Sequence, residues 1–438
     1  MTKRKIFPAL LILMLTLIFL LSSCSLSSKS IRSTYINEYG ELIIEYTNGT
    51  IDNLGVIGGG SNSGSGNGNN QDGSTDSGSS GGSVGDTIII EGTTENTALA
   101  ASKAARSAVD VICTMSDGSH SIGSGVIYKY NAQNDGYFII TNYHVVYDAV
   151  EGVIDTIEVA LFGNEYSEGF IKAQYVGGSL NYDIAVLFVK NCDIIKSSAA
   201  TTVTVADSNF ICIGDTSIAV GNARGEGISV TKGVISVDSE NIEMTGADGK
   251  TTISFRVLRT DTPINNGNSG GGLYNSSGEL IGIVNAKTVT NGVEGVGYAI
   301  PSTLVCNVAD NIIDNCYGTY VSTVQRALLG ITITISDSVS VYDPETGKIS
   351  IKQTVVVAET SSSGLLAGKV KKDDVIKSVT INGHETQVVT RQHHVIDYML
   401  QARVGDTGTL VLERTDSYGR TEEISISFTI TKSCISSY

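Results

Sequence analysis

Positive charge is scarce in this 438-residue chain. Its 29 Lys and Arg face 45 Asp and Glu, and a formal net charge of −16 is the reverse of the basic footprint that nucleic-acid binding needs. The composition therefore argues against a nucleic-acid partner. Long apolar runs are scarce too: the only one covers residues 6–21, which excludes a polytopic membrane protein. Histidine occurs five times, and the seven cysteines form no Cys-x-x-Cys and no Cys/His cluster, so no metal site is expected. Glycine is abundant instead, at 49 residues, and points either to turn-rich β structure or to a linker. The length leaves room for about three domains.

The apolar run follows Lys3, Arg4 and Lys5, contains Pro8 and ends in Leu21-Ser22-Ser23-Cys24. A basic flank and an apolar core too short for a spanning helix are the marks of a secretory signal. The terminal tetrapeptide resembles a bacterial lipobox, which implies removal of residues 1–23 and lipidation of Cys24. Two linked hydrophobic groups would then give stable attachment to an extracytoplasmic membrane face. An uncleaved anchor, or ordinary cleavage beside an unrelated cysteine, are the competing readings. Residues 24–57 alternate in short strands broken by turns at 37–40 and 47–50, a small hairpin-like module. Residues 58–86 are almost entirely Gly, Ser, Asn and Asp; they can bury nothing and read as a flexible tether with a reach of roughly 30 Å. Export would permit disulfides among the other six cysteines, which allow 15 pairings, although Cys113 and Cys212 sit in apolar runs and read as buried thiols.

From about residue 96 to 304 short β-branched runs recur, among them 123–128, 137–141, 157–161, 184–189 and 281–284. Many short strands and few long helical patterns predict a mainly β fold, a barrel or sandwich. Three residues in this region carry chemistry. Ser269 lies in Asn265-Asn266-Gly267-Asn268-Ser269-Gly270-Gly271-Gly272, where glycines allow the backbone to aim successive amides at one point. The amides of Gly267 and Ser269 are then candidate donors to a developing oxyanion. A serine needs a base, and His144 alone among the histidines directly follows a hydrophobic strand. Asp183 opens the apolar run 184–189, an awkward place for a carboxylate unless it orients that imidazole. A core histidine satisfied by a carbonyl is the bland alternative for His144. His120, His384, His393 and His394 lie in polar loops or at a helix start and read as surface residues, and the adjacent pair His393–His394 points in two directions on a helix, which argues against a metal.

The chain order His144, Asp183, Ser269 is that of chymotrypsin-like proteases. The segments 141–146, 183–187, 221–225 with 229–236, 260–271, 278–283 and 296–301 occur in the order of the HtrA/Deg family of serine endopeptidases, which residues 96–322 resemble. That resemblance implies a chymotrypsin-like double six-stranded β-barrel with the triad in the cleft, no cofactor, polypeptide substrates and assembly as a homotrimer. Ser269 would be nucleophile, His144 base and Asp183 orienter. Two departures stand out. Lys287 takes a place where the family carries a small apolar residue beside the specificity pocket, with Ile264 as another wall; Lys287 leaning into solvent is the equal alternative. Asn222-Ala223-Arg224-Gly225 replaces the family's usual Asn-Pro-Phe-Gly.

Residues 326–432 resemble a bacterial PDZ domain, with Leu328-Leu329-Gly330-Ile331, an apolar Gly-rich stretch at 363–376 and a helical pattern over 392–403. In such modules the Leu329, Gly330 and Ile331 amides would cap a peptide C-terminus while the peptide extends the sheet. Three functions stay open: a lipid-anchored serine endopeptidase for misfolded or exposed proteins, an inactive protease-like sensor acting through its PDZ domain, and a surface adhesin that works through residues 31–85.

Overall fold

The structure is a computed structural model describing residues 31–36, 41–46, 51–56, 97–164, 169–286, 295–316 and 323–437. The signal segment with Cys24, the tether at 58–86 and Lys287 lie outside the described residues. The chain divides into two compact units, residues 1–88 and 89–438. In the first, the strands Ile31–Ile36, Glu41–Tyr46 and Ile51–Val56 pair in that order as an antiparallel meander, two successive hairpins.

The second unit begins with the helix Thr97–Ala105 and continues into two closed barrels of six strands each. The first barrel follows the hydrogen-bonded order Ile171–Ser179, Ile184–Lys190, Gly136–Thr141, His120–Asn131, Ala108–Thr114, Thr156–Leu161. The second follows Thr216–Gly221, Ser229–Thr245, Thr252–Thr260, Gly297–Pro301, Leu280–Asn285, Gly272–Tyr274. Their most apolar strands are buried on both faces. Side chains alternate across a strand, so in Ile184–Lys190 residues Ala185, Leu187 and Val189 fill the first barrel. Ile184 and Val186 point the other way, into a cluster shared with Ile218, Val220, Ile283 and Ile300 of the second. A run without alternating polarity is what two-sided burial requires. Each such Ile or Leu contributes roughly 1.5–3 kcal/mol by leaving water.

A helix over Ser302–Asn315 completes that shared cluster. Its buried Leu304, Val305, Val308, Ala309 and Ile312 recur with a helical period, and it starts directly after Pro301, where the fixed φ of proline ends the preceding strand without obstructing a helix. The β-rich reading of this region passed over it. Register then places the chemistry. Thr141 pairs with Ala185, so the two antiparallel strands bring residues 142–144 and Asp183 to the same barrel end.

The C-terminal part builds a sheet in the order Ile331–Tyr342, Ile349–Thr360, Val375–Ile381, Thr407–Thr415, Thr421–Thr429, with Gln387–Val388 added to its third strand. The helix Gln392–Tyr398 packs Val395 and Tyr398 onto Val355, Val379, Leu410 and Phe428. Leu400, just past that helix, inserts into the shared cluster of the barrels. Polar contacts seal the joint. Arg256 of the second barrel donates to Asp397 Oδ2 at 2.5 Å, and Arg391 to Asp238 Oδ2 at 2.8 Å. Asn307 and Asn311 donate to the carbonyls of Asp397 and Leu400 at 2.9 and 2.7 Å.

This joint corrects the surface reading of two histidines. His394 is buried and His393 is packed between the two parts, its Nδ1 3.4 Å from Ser239 Oγ of the second barrel. A helix start reads as solvent-facing in sequence, but here the helix docks on another domain. His120 and His384 are exposed. Cys113, Cys192, Cys212, Cys306 and Cys434 are free thiols; Cys113 and Cys212 are buried, and burial pushes the Cys113 thiol up to about 12. Among the described residues no helix is long and apolar enough to cross a membrane.

Candidate active site

His144 and Asp183 meet at the end of the first barrel. His144 Nδ1 stands 2.7 Å from Asp183 Oδ2, and the His144 main-chain amide donates to Asp183 Oδ1 at 3.0 Å. Asp183 is 2% exposed, so its carboxylate would be costly without these partners. Its backbone lies in the left-handed region, at φ 51°, held there by the Asn142 side chain and the Tyr143 amide, which donate to its carbonyl at 2.9 and 3.1 Å. With Nδ1 engaged by a carboxylate, Nε2 is left to exchange protons.

Ser269 comes from the second barrel, on the turn before the strand Gly272–Tyr274. Ser124 of the first barrel pins this turn twice and ties it to Asn222. Its amide donates to the Ser269 carbonyl at 2.8 Å, its hydroxyl donates to the Gly267 carbonyl at 2.7 Å, and the same hydroxyl accepts from the Asn222 amide at 2.8 Å. Gly270 packs so closely on the segment leading to His144 that an added Cβ would lie 2.3 Å from Thr141 Oγ1. Gly267 has φ 96°, and a Cβ there would lie 2.1 Å from the Asn222 carbonyl oxygen, so only glycine fits this turn.

The amides of the turn divide into two sets. Those of Asn268, Gly270 and Gly271 donate to the carbonyls of Asn265, Val284 and Asn268. Those of Gly267 and Ser269 donate to no acceptor among the described residues, and they are the two that sequence marked as oxyanion donors. The Ser269 hydroxyl takes a different direction from the one its chemistry would need. Its Oγ accepts from the Ala286 amide at 3.2 Å, and among the described residues no hydrogen bond joins it to His144.

Ile264 lies against the interior cluster of the second barrel, beside Gly297, where a Cβ would come 2.6 Å from Ile264 Cδ1. Ser124, Asn142, Asn285 and Ala286 were not read from the sequence as part of this site. A glycine-flanked serine inside a strand, at 123–125, is a mark of close backbone approach that could have found the first. Among the described residues no three His, Cys, Asp or Glu side chains gather as a metal site.

A second concavity of about 630 Å³ lies in the C-terminal part, between Leu329, Gly330, Ile331 and Ile333 on one side and Gln392, Val395 and Ile396 on the other. Gly330 has φ 78°, and the amides of Leu329 and Gly330 donate to nothing among the described residues. Ile331–Tyr342 is an edge strand, paired on one side by Ile349–Thr360.

Comparison with known proteins agrees with the barrels. Residues 123–283 match the model of the trypsin-like peptidase domain. The chain is 35% identical over 269 residues to the serine protease Do-like HtrA of Lactococcus lactis subsp. cremoris, covering 59% of this chain and 60% of that protein. It is 32% identical over 313 residues to the serine protease Do-like HtrB of Bacillus subtilis, covering 70% and 62%. With the periplasmic pH-dependent serine endoprotease DegQ of Escherichia coli the figures are 33% over 261 residues, 59% and 50%. The chain thus spans about three fifths of the length of the Lactococcus and Bacillus relatives. From these likenesses and the paired barrels, residues 123–283 form a trypsin-like peptidase domain, and the chain is similar to the HtrA serine proteases.

Proposed function

We propose that this protein is an exported serine endopeptidase, held to a membrane by lipid at Cys24, that cleaves misfolded or exposed proteins. The observation that carries the reading is the 2.7 Å contact of His144 with Asp183, beside a serine turn whose two unengaged amides belong to Gly267 and Ser269. For chemistry the Ser269 hydroxyl turns from the Ala286 amide to His144 Nε2, passes its proton there and attacks the scissile carbonyl. Asp183 holds the imidazole tautomer and stabilises the imidazolium. The Gly267 and Ser269 amides stabilise the alkoxide, a contribution of about 10²–10³ in rate per donor in such sites. His144 then protonates the leaving amine, and water repeats the sequence on the acyl-enzyme. Ile264 and Lys287 would line the pocket for the first substrate side chain.

Residues 326–432 would act as a PDZ domain, in which a peptide extends the edge strand Ile331–Tyr342 and its carboxylate takes the Leu329, Gly330 and Ile331 amides. Residues 1–23 would be the removed signal, 24–57 a β module, 58–86 the tether and 96–322 the protease, assembling as a homotrimer. The periplasmic naming of the Escherichia coli relatives supports a place outside the cytosol. A mature N-terminus without lipid mass at Cys24 would remove the anchor.

One observation favours a second reading, an inactive sensor: the hydrogen bond that turns Ser269 Oγ toward Ala286. Protein lacking residues 1–86, incubated with unfolded casein and a fluorophosphonate probe, separates the two. The peptidase labels at Ser269 and degrades casein, and Ser269→Ala does neither. No Ser269-dependent labelling, even with added C-terminal peptides, would leave the sensor.

A further inference from the structure

Resting on the triad read above, we infer that Asn285 is a positioning residue, whose side-chain amide fixes the Asp183 carboxylate, and through it the imidazole, relative to the serine. Asn285 closes the strand Leu280–Asn285, all six residues of which are buried, and is itself 3% exposed. Its Nδ2 donates to Asp183 Oδ2 at 2.8 Å, the oxygen that also meets His144 Nδ1. The other two contacts of the carboxylate both come from His144, so they travel with the residue they orient. Asn285 is different in origin. It reaches the carboxylate from the second barrel, which also carries Ser269, and so ties the acid of one barrel to the frame of the nucleophile in the other.

Its neighbour extends the connection, because the Ala286 amide is the donor to Ser269 Oγ. Two consecutive residues therefore touch both ends of the triad, Asn285 the acid and Ala286 the serine. The donor must also be neutral in effect on charge: a carboxylate at 285 would keep the shape, remove the donor and set a second negative charge against Asp183. In metal sites, losing a residue that orients a ligand typically costs about 10–100-fold in affinity or activity, and a loss of the same order is expected for this orienting contact.

The test uses the full chain in detergent, with a fluorogenic peptide drawn from a casein cleavage site, and the variants Asn285→Asp, Asn285→Ala and Asn285→Ser. Asn285→Asp should lower kcat by roughly 10–100-fold with KM within about two-fold, since the substrate still binds. Asn285→Ser, which restores a hydroxyl donor, should recover most of the loss relative to Asn285→Ala. The far-downfield Nδ1 proton of His144, followed by NMR, should shift in Asn285→Asp whether or not the enzyme turns over. Unchanged kcat and an unchanged proton signal in Asn285→Asp would overturn the assignment, and so would a loss carried by KM alone or one that serine fails to restore in a folded variant. Ser269→Ala in the same assay separates this outcome from failure of the peptidase reading: wild type no better than Ser269→Ala defeats the peptidase, while an active wild type indifferent to residue 285 defeats only the positioning role.

Discussion

His144 and His393 are both enclosed by the fold, but their charged neighbours have opposite signs. His144 faces the carboxylate of Asp183 at 2.7 Å. His393 faces Arg256 and Arg391, with the His394 ring edge-on at 4.8 Å, and the nearby carboxylates Asp397 and Asp238 are already paired with those arginines. Burial first, and then Arg256, His394 and Arg391, push His393 well below the ordinary histidine range. Enclosure alone does not make a base. A carboxylate in contact lets an imidazole take up a proton, whereas desolvation among guanidinium groups keeps it neutral. One histidine is set against a single carboxylate, and the other is built into a joint where a charge would be misplaced.

The comparison breaks most sharply at Asp183. Asp183→Asn keeps the shape but offers an amide where a carboxylate stood, favouring the wrong tautomer of His144, and kcat should fall by roughly 10⁴ with little change in the denaturation midpoint. Near-normal turnover would mean that His144 does not need its acid. At the joint the same kind of change should act on stability. Asp397→Ala leaves the Arg256 guanidinium, 6% exposed, without its partner, and loss of one member of a buried pair costs about 3–5 kcal/mol. Urea unfolding measures it; a cost below about 1 kcal/mol would show that water replaces the carboxylate easily.

A smaller effect belongs to the serine turn. Gly267→Ala would set a Cβ against the Asn222 carbonyl at a φ of 96°, so the turn must shift and its amide must leave the position in which nothing engages it. The expected loss is about 10²–10³ in kcat, with the fold retained. Full activity would place the oxyanion donors elsewhere.

How much of this was readable beforehand depends on whether the signal was local. The strand Ile184–Lys190 was legible because burial on both faces writes an unbroken apolar run. His144 and Asp183 were legible as polar residues at the ends of such runs, and the register of Thr141 with Ala185 turns that shared position into contact. Asn285 carries the same mark, an amide closing the run 280–284, and went unread because an asparagine has no charge to demand an explanation. The helix Ser302–Asn315 was hidden by its place after a series of strands, although its apolar spacing is helical. The joint was not legible at all. His393, Arg391 and Asp397 look like any polar helix in sequence, and only the facing surface of Arg256, Asp238 and Ser239, more than a hundred residues earlier, makes them interior.

The smallest predicted effect tests that interior directly through its dependence on pH. In the unfolded chain His393 takes a proton near its ordinary pKa of ~6.5, while in the folded protein burial and the arginines prevent it. The unfolded state thus binds the extra proton as pH falls, and stability that is present above ~6.5 is lost below it, by about 1.4 kcal/mol for each pH unit per such group. His394 is displaced in the same direction, chiefly by desolvation, its Val388 carbonyl contact opposing the shift. Urea midpoints at pH 7.5, 6.0 and 5.0 should therefore decline in wild type and decline less in His393→Gln, whose side chain has no proton to gain. A midpoint independent of pH over this range would mean that the joint opens to admit the charge, and the contrast with His144 would then rest on catalysis alone.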